Sequence, residues 1–212
     1  GLAHGTITAV AEGQHFEITT LRVDVKSHGR HADVAFTDDW QEDAARRDFT
    51  MNALTCTPEG EIYDPCDGIE DLEAGCVRFV GDAEQRIAED HLRLLRFFRF
   101  HAWYGRGAPD STGLAAAAGG AKLLSKLSGE RIRNEMFKLL AAPDPAAVID
   151  IMAETGVLGE IVPGANDTQA LRGLREIEAE READPLRRLA SLLSDAASAQ
   201  PLAELLRLSN AE

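Results

Sequence analysis

The 212-residue chain has only three cysteines, Cys56, Cys66 and Cys76, ten residues apart and without a C-x-x-C pairing. An odd, widely spaced set argues against a disulfide framework and against zinc, and it suits thiols in a reducing cytoplasm, where we expect the protein to work. The six histidines offer no metal-ligand spacing. Neither G-x-x-x-x-G-K-[ST] nor G-x-G-x-x-G occurs, so both common phosphate loops are absent. No apolar run approaches the roughly 20 residues that cross a bilayer. No basic and apolar leader opens the chain, so we expect neither membrane insertion nor secretion. Positive charge is also short: 22 Lys and Arg against 36 Asp and Glu leave a formal net charge of −14. Non-specific phosphate binding scales with the basic residues at an interface, so this balance speaks against it, while leaving room for a local basic groove.

What is present is apolar patterning in two styles. Hydrophobic residues make up 44% of the chain, enough for one large or two modest cored domains. Residues 5–11 and 15–24 alternate as paired strands around Glu12-Gly13-Gln14, a hairpin signal. Residues 26–38 read as a mobile loop or a frayed strand pair. Asp38 or Asp39 can cap a short helix from Trp40 to Arg46. The stretch "NALTCTPEGEIYDP" reads as strand, turn at Glu59-Gly60, strand, and "CVRFV" at 76–80 as a further strand. From Asp82 onward the periodicity is helical. Asp82 caps a helix running to about Tyr104, and others are expected at 121–127, from Ser128 to Leu140, and at 145–155, 168–183, 185–196 and 200–210. "LAAAAGGA" reads as a loosely packed helix end. Strands followed by helices predict an α+β fold passing into an all-α region at Gly81. The chain opens at a strand and stops within a helical pattern, which reads as a piece of a longer protein.

Two stretches carry concentrated charge. "ARRDFTMNAL" sets Arg46, Arg47 and Asp48 against Phe49, Met51 and Leu54. That is either a salt-bridged corner or a site for an anion. In "DAEQRIAEDHLRLLRFFRFHAWYG", Ile87, Leu94, Phe98 and Ala102 share the core face at about 100° per residue. Arg86, Glu89, Asp90, Arg93 and Arg96 lie opposite. The pairs Arg86–Asp90 and Glu89–Arg93 suit a solvated helix face. Phe97 and Phe100 border the same stripe, however, and arginines in a partly covered groove are costly unless something anionic meets them. The four acids of "DPCDGIEDL" miss the EF-hand spacing and read as a turn, Asp67-Gly68, leading into a short capped helix.

Taken in order, "HGTITAV…FEITTLRVD…EDAARRDFTMNAL…YDPCDGIEDLEAGCVRFVGD…RIAEDHLRLLRFFRF…SGERIRNEMFKLL" resembles the bacterial class II tRNA nucleotidyltransferases, the CCA-adding enzymes and their poly(A) polymerase relatives. The resemblance implies that 1–81 is the end of a nucleotidyltransferase head, 82–143 a helical neck that recognises the base, and 144–212 the start of an RNA-binding body. It implies an enzyme adding CCA to tRNA from CTP and ATP with Mg2+, with poly(A) addition or a non-catalytic RNA-binding role as alternatives. The stretch 24–38 matches a flexible loop that leans towards adding the final A. By the same resemblance Arg47, Asp48 and Asn52 face the ribose and triphosphate, with Arg46 left to the corner. Asp90 and Arg93 form the template for the base edge, Glu89 orients the arginine, and Arg96 reaches the triphosphate. Glu17 falls where the family keeps a carboxylate near its metals, and Glu130 and Arg133 brace the template helix. The family's D-x-D pair, which holds two metal ions for in-line transfer, does not occur among these residues, so this polypeptide by itself is expected to be inactive. No feature speaks for or against an oligomer.

Overall fold

The computed structural model describes residues 5–28, 31–165, 168–178 and 181–209, and among 24–34 the backbone alone. It is an α+β fold in which small antiparallel strand pairs precede a packed set of helices. Strands β1 (Thr6–Ala11) and β2 (Gln14–Thr19) form a hairpin whose turn residues Glu12 and Gly13 both have positive φ, 51° and 77°. Two left-handed residues match the right-handed twist of the flanking strands, and glycine takes the second position without a steric cost. The single strand expected over 15–24 is broken. Thr20 N–H closes the first pair on Gly5 O at 3.1 Å, and Arg22 opens a new one opposite Phe36. Strands β3 (Arg22–His28) and β4 (His31–Phe36) fill most of the stretch read as loop or frayed pair, with a bulge at Asp24/Lys26.

Helix α1 (Trp40–Ala45) starts at Asp39, whose carboxylate accepts from Gln41 N–H at 2.8 Å. Strands β5 (Thr55–Cys56) and β6 (Ile62–Tyr63) flank the Glu59-Gly60 turn. Helix α2 (Gly68–Ala74) is capped from further back than expected, by Asp64, which accepts from Gly68 and Ile69 N–H at 2.8 and 2.9 Å. Residues 76–80 do not form the expected strand. They make one bridge, Phe49 to Phe79, because the partner chain turns into a 3-10 helix at Thr50–Asn52 and ends the ladder.

The helix expected from 82 to 104 is two. α3 (Ala83–Glu89) ends where Asp90 becomes extended (φ −147°, ψ 108°), and α4 (Leu92–Tyr104) begins beyond it. Next come α5 (Ser111–Gly120), α6 (Gly129–Leu140), α7 (Ala146–Glu154), α8 (Val157–Ile161), α9 (Gln169–Ile177), α10 (Pro185–Ala190) and α11 (Ala199–Leu206). The segment 121–127 is mostly 3-10 helix. "LAAAAGGA" (114–121) ends α5 and is packed on one face, through Ala116, Ala117, Gly120 and Ala121, and open on the other at Ala115 and Gly119. A Cβ on Gly120 would stand 3.2 Å from Ile87 and Leu94, and one on Gly113, just before this stretch, 2.8 Å from the Phe97 ring.

Ile87, Leu94 and Phe98 are buried on the face assigned to the core, in one cluster with Phe49, Val77 and Phe79. Phe79 stacks on Phe97 at 5.5 Å and meets Phe49 at 4.9 Å. Element type changes at Gly81, yet packing runs across it. Farther on, buried Arg188 donates to Leu140 O and Ala142 O at 2.6 and 2.8 Å and to Glu178 at 2.7 Å. It thereby satisfies carbonyls that the end of α6 leaves without intrahelical partners. Among the described residues no helix is long and apolar enough to cross a membrane.

Candidate functional site

The corner at 43–52 is built from one buried carboxylate. Asp43 faces inward from α1 and accepts from Arg22 N–H at 3.1 Å, from Arg46 Nε at 3.1 Å, and from Arg47 Nε and Nη2 at 3.1 and 2.7 Å. Burial alone would raise its pKa. The hydrogen bonds from Arg46, Arg47 and the Arg22 amide outweigh that and hold the carboxyl below the ordinary Asp range. Arg46 Nε also donates to Arg22 O at 2.8 Å, so Arg46 is committed to the corner. The Arg47 side chain remains 41% exposed, which leaves it on the rim.

The chain then turns inward through Asp48, also buried. One carboxylate oxygen accepts from Phe49 N–H at 3.0 Å and from Asn52 Nδ2 at 2.9 Å, and the other from Arg96 Nε at 2.6 Å. Asp48, Asn52 and Arg96, 48 residues apart at the extremes of numbering between the first and last, thus meet at one point. Thr50 anchors the turn from below, donating to buried Asp71 at 2.7 Å.

Arginines from the α3–α4 elbow close the same rim. Arg86 donates to Ala45 O at 3.0 Å and Arg93 to Arg46 O at 3.1 Å, which caps the exposed carbonyls at the end of α1. Glu89 joins the two, accepting from Arg86 Nη2 and Arg93 Nη1, each at 2.6 Å. Val23, Glu42, Ala45, Arg46, Arg86 and Glu89 help to line a recess of about 350 Å³. The Glu89–Arg93 pair is as expected, while Arg86 takes Glu89 in place of Asp90.

The reason is the break at Asp90. The aspartate does not share a helical face with Arg93. Its carboxylate accepts from Leu92 N–H at 3.1 Å and through both oxygens from Arg131 Nη2, at 3.0 and 2.8 Å. The brace expected from Glu130 and Arg133 therefore falls to Arg131. Glu130 is exposed, and Arg133 donates instead to Arg207 O at 2.8 Å. Glu17 lies on exposed β2 opposite Thr8, and no hydrogen bond or ion pair joins it to this cluster among the described residues.

Two contributors escaped the sequence reading. Asp43 sits three and four residues before Arg46 and Arg47 on a helix, a spacing that could have signalled it. Arg131 is 41 residues from Asp90, and no local pattern marks the pair. Six guanidiniums (Arg46, Arg47, Arg86, Arg93, Arg96 and Arg131) meet four carboxylates (Asp43, Asp48, Glu89 and Asp90). In an acidic chain this rim is locally positive, and its arginines are held in fixed orientations suited to an anion.

Comparison with known proteins follows the same outline. Residues 1–78 match the family model described as the poly A polymerase head domain. Residues 114–168 match one described as a probable RNA and SrmB- binding site of polymerase A. The mitochondrial CCA tRNA nucleotidyltransferase 1 of Danio rerio is 39% identical over 218 residues, covering 100% of this chain and 50% of the relative. The CCA-adding enzyme of Geobacillus thermodenitrificans is 42% identical over 166 residues, 77% of this chain and 41% of the relative. Among solved structures, the Bacillus stearothermophilus CCA-adding enzyme in complex with CTP aligns with a TM-score of 0.69 at 30% identity. That alignment covers 98% of this chain and 54% of that one. The chain thus spans about half the length of the relatives it matches.

Proposed function

Since the chain belongs to the family of class II CCA-adding enzymes and poly(A) polymerases, we propose that it is part of an enzyme completing the 3′ end of tRNA. In this reading CTP and ATP are the nucleotide substrates, tRNA is the acceptor, and no nucleic-acid template is used. The observation that carries it is the Asp48–Arg96 contact at 2.6 Å, which brings the 46–52 corner and α4 onto one positive rim. Arg47, Asp48 and Asn52 serve the ribose and triphosphate, and Arg96 the phosphates. Residues 1–81 act as the head, 82–143 as the neck, and 144–212 as the beginning of an RNA-binding body.

Base choice follows from donors and acceptors. A carboxylate offers about four lone-pair sites. Arg131 and Leu92 account for three contacts on Asp90, which leaves an acceptor for an amino group. Arg93 has five N–H donors and uses three, towards Glu89, Arg86 O and Arg46 O. The remainder can meet a ring nitrogen or carbonyl. Cytosine and adenine present an amino group beside an acceptor. Guanine and uracil would set a carbonyl against the carboxylate, at about 1–3 kcal/mol per group left unsatisfied.

Enzymes of this family generally use divalent metal ions, and Mg2+ is our proposal here, with Glu17 as a carboxylate near it. One exposed carboxylate does not build such a site. Among the described residues no three His, Cys, Asp or Glu side chains stand close enough to hold an ion, so no step is assigned through the metal. We place the enzyme in the cytoplasm on its cysteine usage.

The deciding experiment supplies tRNA lacking CCA with each of the four nucleotides, using the whole protein that carries this chain. Incorporation of C, then A, is expected. Extension with A alone would favour poly(A) addition, the second reading, which the family description of residues 1–78 supports. Arg93→Ala should degrade selectivity more than Arg47→Ala, which should weaken all nucleotides alike. Unchanged selectivity in Arg93→Ala would remove the template role.

A further inference from the structure

Beyond Arg96, at the C-terminal end of α4, two large aromatic side chains face solvent. Trp103 is 46% and Tyr104 51% exposed. With Arg99, Phe100, Lys138 and Ala141 they line a recess of about 310 Å³ between α4 and α6. The indole N–H donates to Lys138 O at 2.8 Å. The ring is therefore pinned by its polar edge across the seam. Phe100 lies 5.8 Å from Tyr104, with Arg99 4.4 Å over its ring and Arg96 5.2 Å from it. One aromatic ring is thus common to the recess and to the Asp48–Arg96 contact of the rim.

The charges favour an anion. Arg99 Nε stands 3.0 Å from Glu135 Oε2, and Lys138 Nζ 3.8 Å from Glu135 Oε1. Two cations share one carboxylate, which leaves one positive charge in excess on a chain of formal charge −14. The Lys138 side chain is 58% exposed, so its amino group is accessible to a ligand from solvent. Aromatic faces beside an exposed cation are what unpaired bases and their phosphates stack on and pair with. At 1.5 Å rise per residue, Trp103 is roughly 10 Å along α4 from Arg96, close enough for the last nucleotides of one strand to span both.

We propose that this recess holds an unpaired nucleotide near the 3′ end of the RNA, its base against Trp103 and Tyr104 and its phosphate on Lys138. The inference rests on the RNA-end reading above and adds the place where the acceptor strand lies before the addition site.

Trp40 and Trp103 are the two tryptophans of these 212 residues, so Trp40→Phe, with any tryptophan outside them also changed to Phe, makes emission a reporter of Trp103 alone. This protein is titrated with a short single-stranded RNA ending in CC, with a blunt duplex of the same sequence, and with CTP. Quenching is expected from the single strand and not from the duplex or CTP. Trp103→Ala should weaken single-strand binding about five- to a hundred-fold, the range for loss of one base stack, while Trp103→Phe keeps most of it. Lys138→Gln should lower the slope of log K against log salt by about 0.7, one phosphate on a single strand. Circular dichroism checks that each variant is folded. Single-strand binding seen by gel shift, with Trp103 emission silent and Trp103→Ala neutral, would overturn the subsite and leave the RNA-end reading standing. Equal quenching by the duplex would also overturn it. So would an emission change that follows protein concentration alone, which would assign the recess to a second copy of the chain. Retention of CTP with no RNA binding at any concentration would overturn both.

Discussion

Asp43 is the residue on which the corner depends, because two arginines and a backbone amide converge on its one buried carboxylate. Replacing it by Asn keeps the shape and removes the charge, leaving Arg46 and Arg47 without their anion. Breaking a buried pair in this way costs about 3–5 kcal/mol. The pH dependence has a definite sign. A carboxyl whose folded pKa lies below its ordinary value contributes stability that is complete above the unfolded pKa and is lost as pH falls through the folded one. Urea midpoints taken between about pH 7 and pH 3 should therefore fall towards acid in the parent and do so less steeply in Asp43→Asn. Parallel curves for the two proteins would show that another carboxylate sets the acid limb. Glu178 has the same sign. Burial raises it, and hydrogen bonds and charge from Arg188 and Arg187 more than compensate. It is the natural control.

At the scale of elements, what could be read from the sequence was whatever a few neighbouring residues decide. The cap at Asp39, the cap at Asp82 and the hairpin turn at Glu12-Gly13 all rest on bonds or backbone angles within four positions. The helix break at Asp90 does not. Its geometry is completed by Arg131, from a helix that no local rule places opposite. Residues 76–80 looked like a strand by composition, but a ladder needs a partner, and the partner turns away after Phe49. Most of the candidate site was legible for a different reason: its motifs resemble a family as a set, while the bonds that orient them are long-range. The small residues at 114–121 misled in part because scarcity of side chain reads as looseness, whereas Gly120 permits close approach to Ile87 and Leu94, as Gly113 ahead of them does to Phe97. Gly113→Val should accordingly cost about 1–3 kcal/mol through overpacking, measured as a drop in thermal midpoint. A variant as stable as the parent would mean that α5 can shift away from α4 freely.

For the whole molecule, one hydrophobic cluster runs through the helices, and ion pairs tie some that are distant in sequence. Arg188 ties α10 to the last turn of α6 and to Glu178 by bonds spanning 48, 46 and 10 residues. Arg188→Ala leaves two carbonyls without their donor and removes one of the two arginines on buried Glu178. We expect a loss of about 1–3 kcal/mol for each buried carbonyl left unsatisfied and loosening of α6 first, visible as faster amide exchange in 129–140 than in α3. Uniform exchange across the chain would show that α6 does not open by itself. Arg131 stands two residues into that same helix and fixes Asp90. If Asp90 reads the base as proposed, its discrimination depends on the fraying of a helix that supplies no group to the proposed triphosphate site. On warming, such an enzyme would begin to make mistakes before it stopped working, with G and U entering the tRNA end over a span of temperatures where total incorporation still climbs.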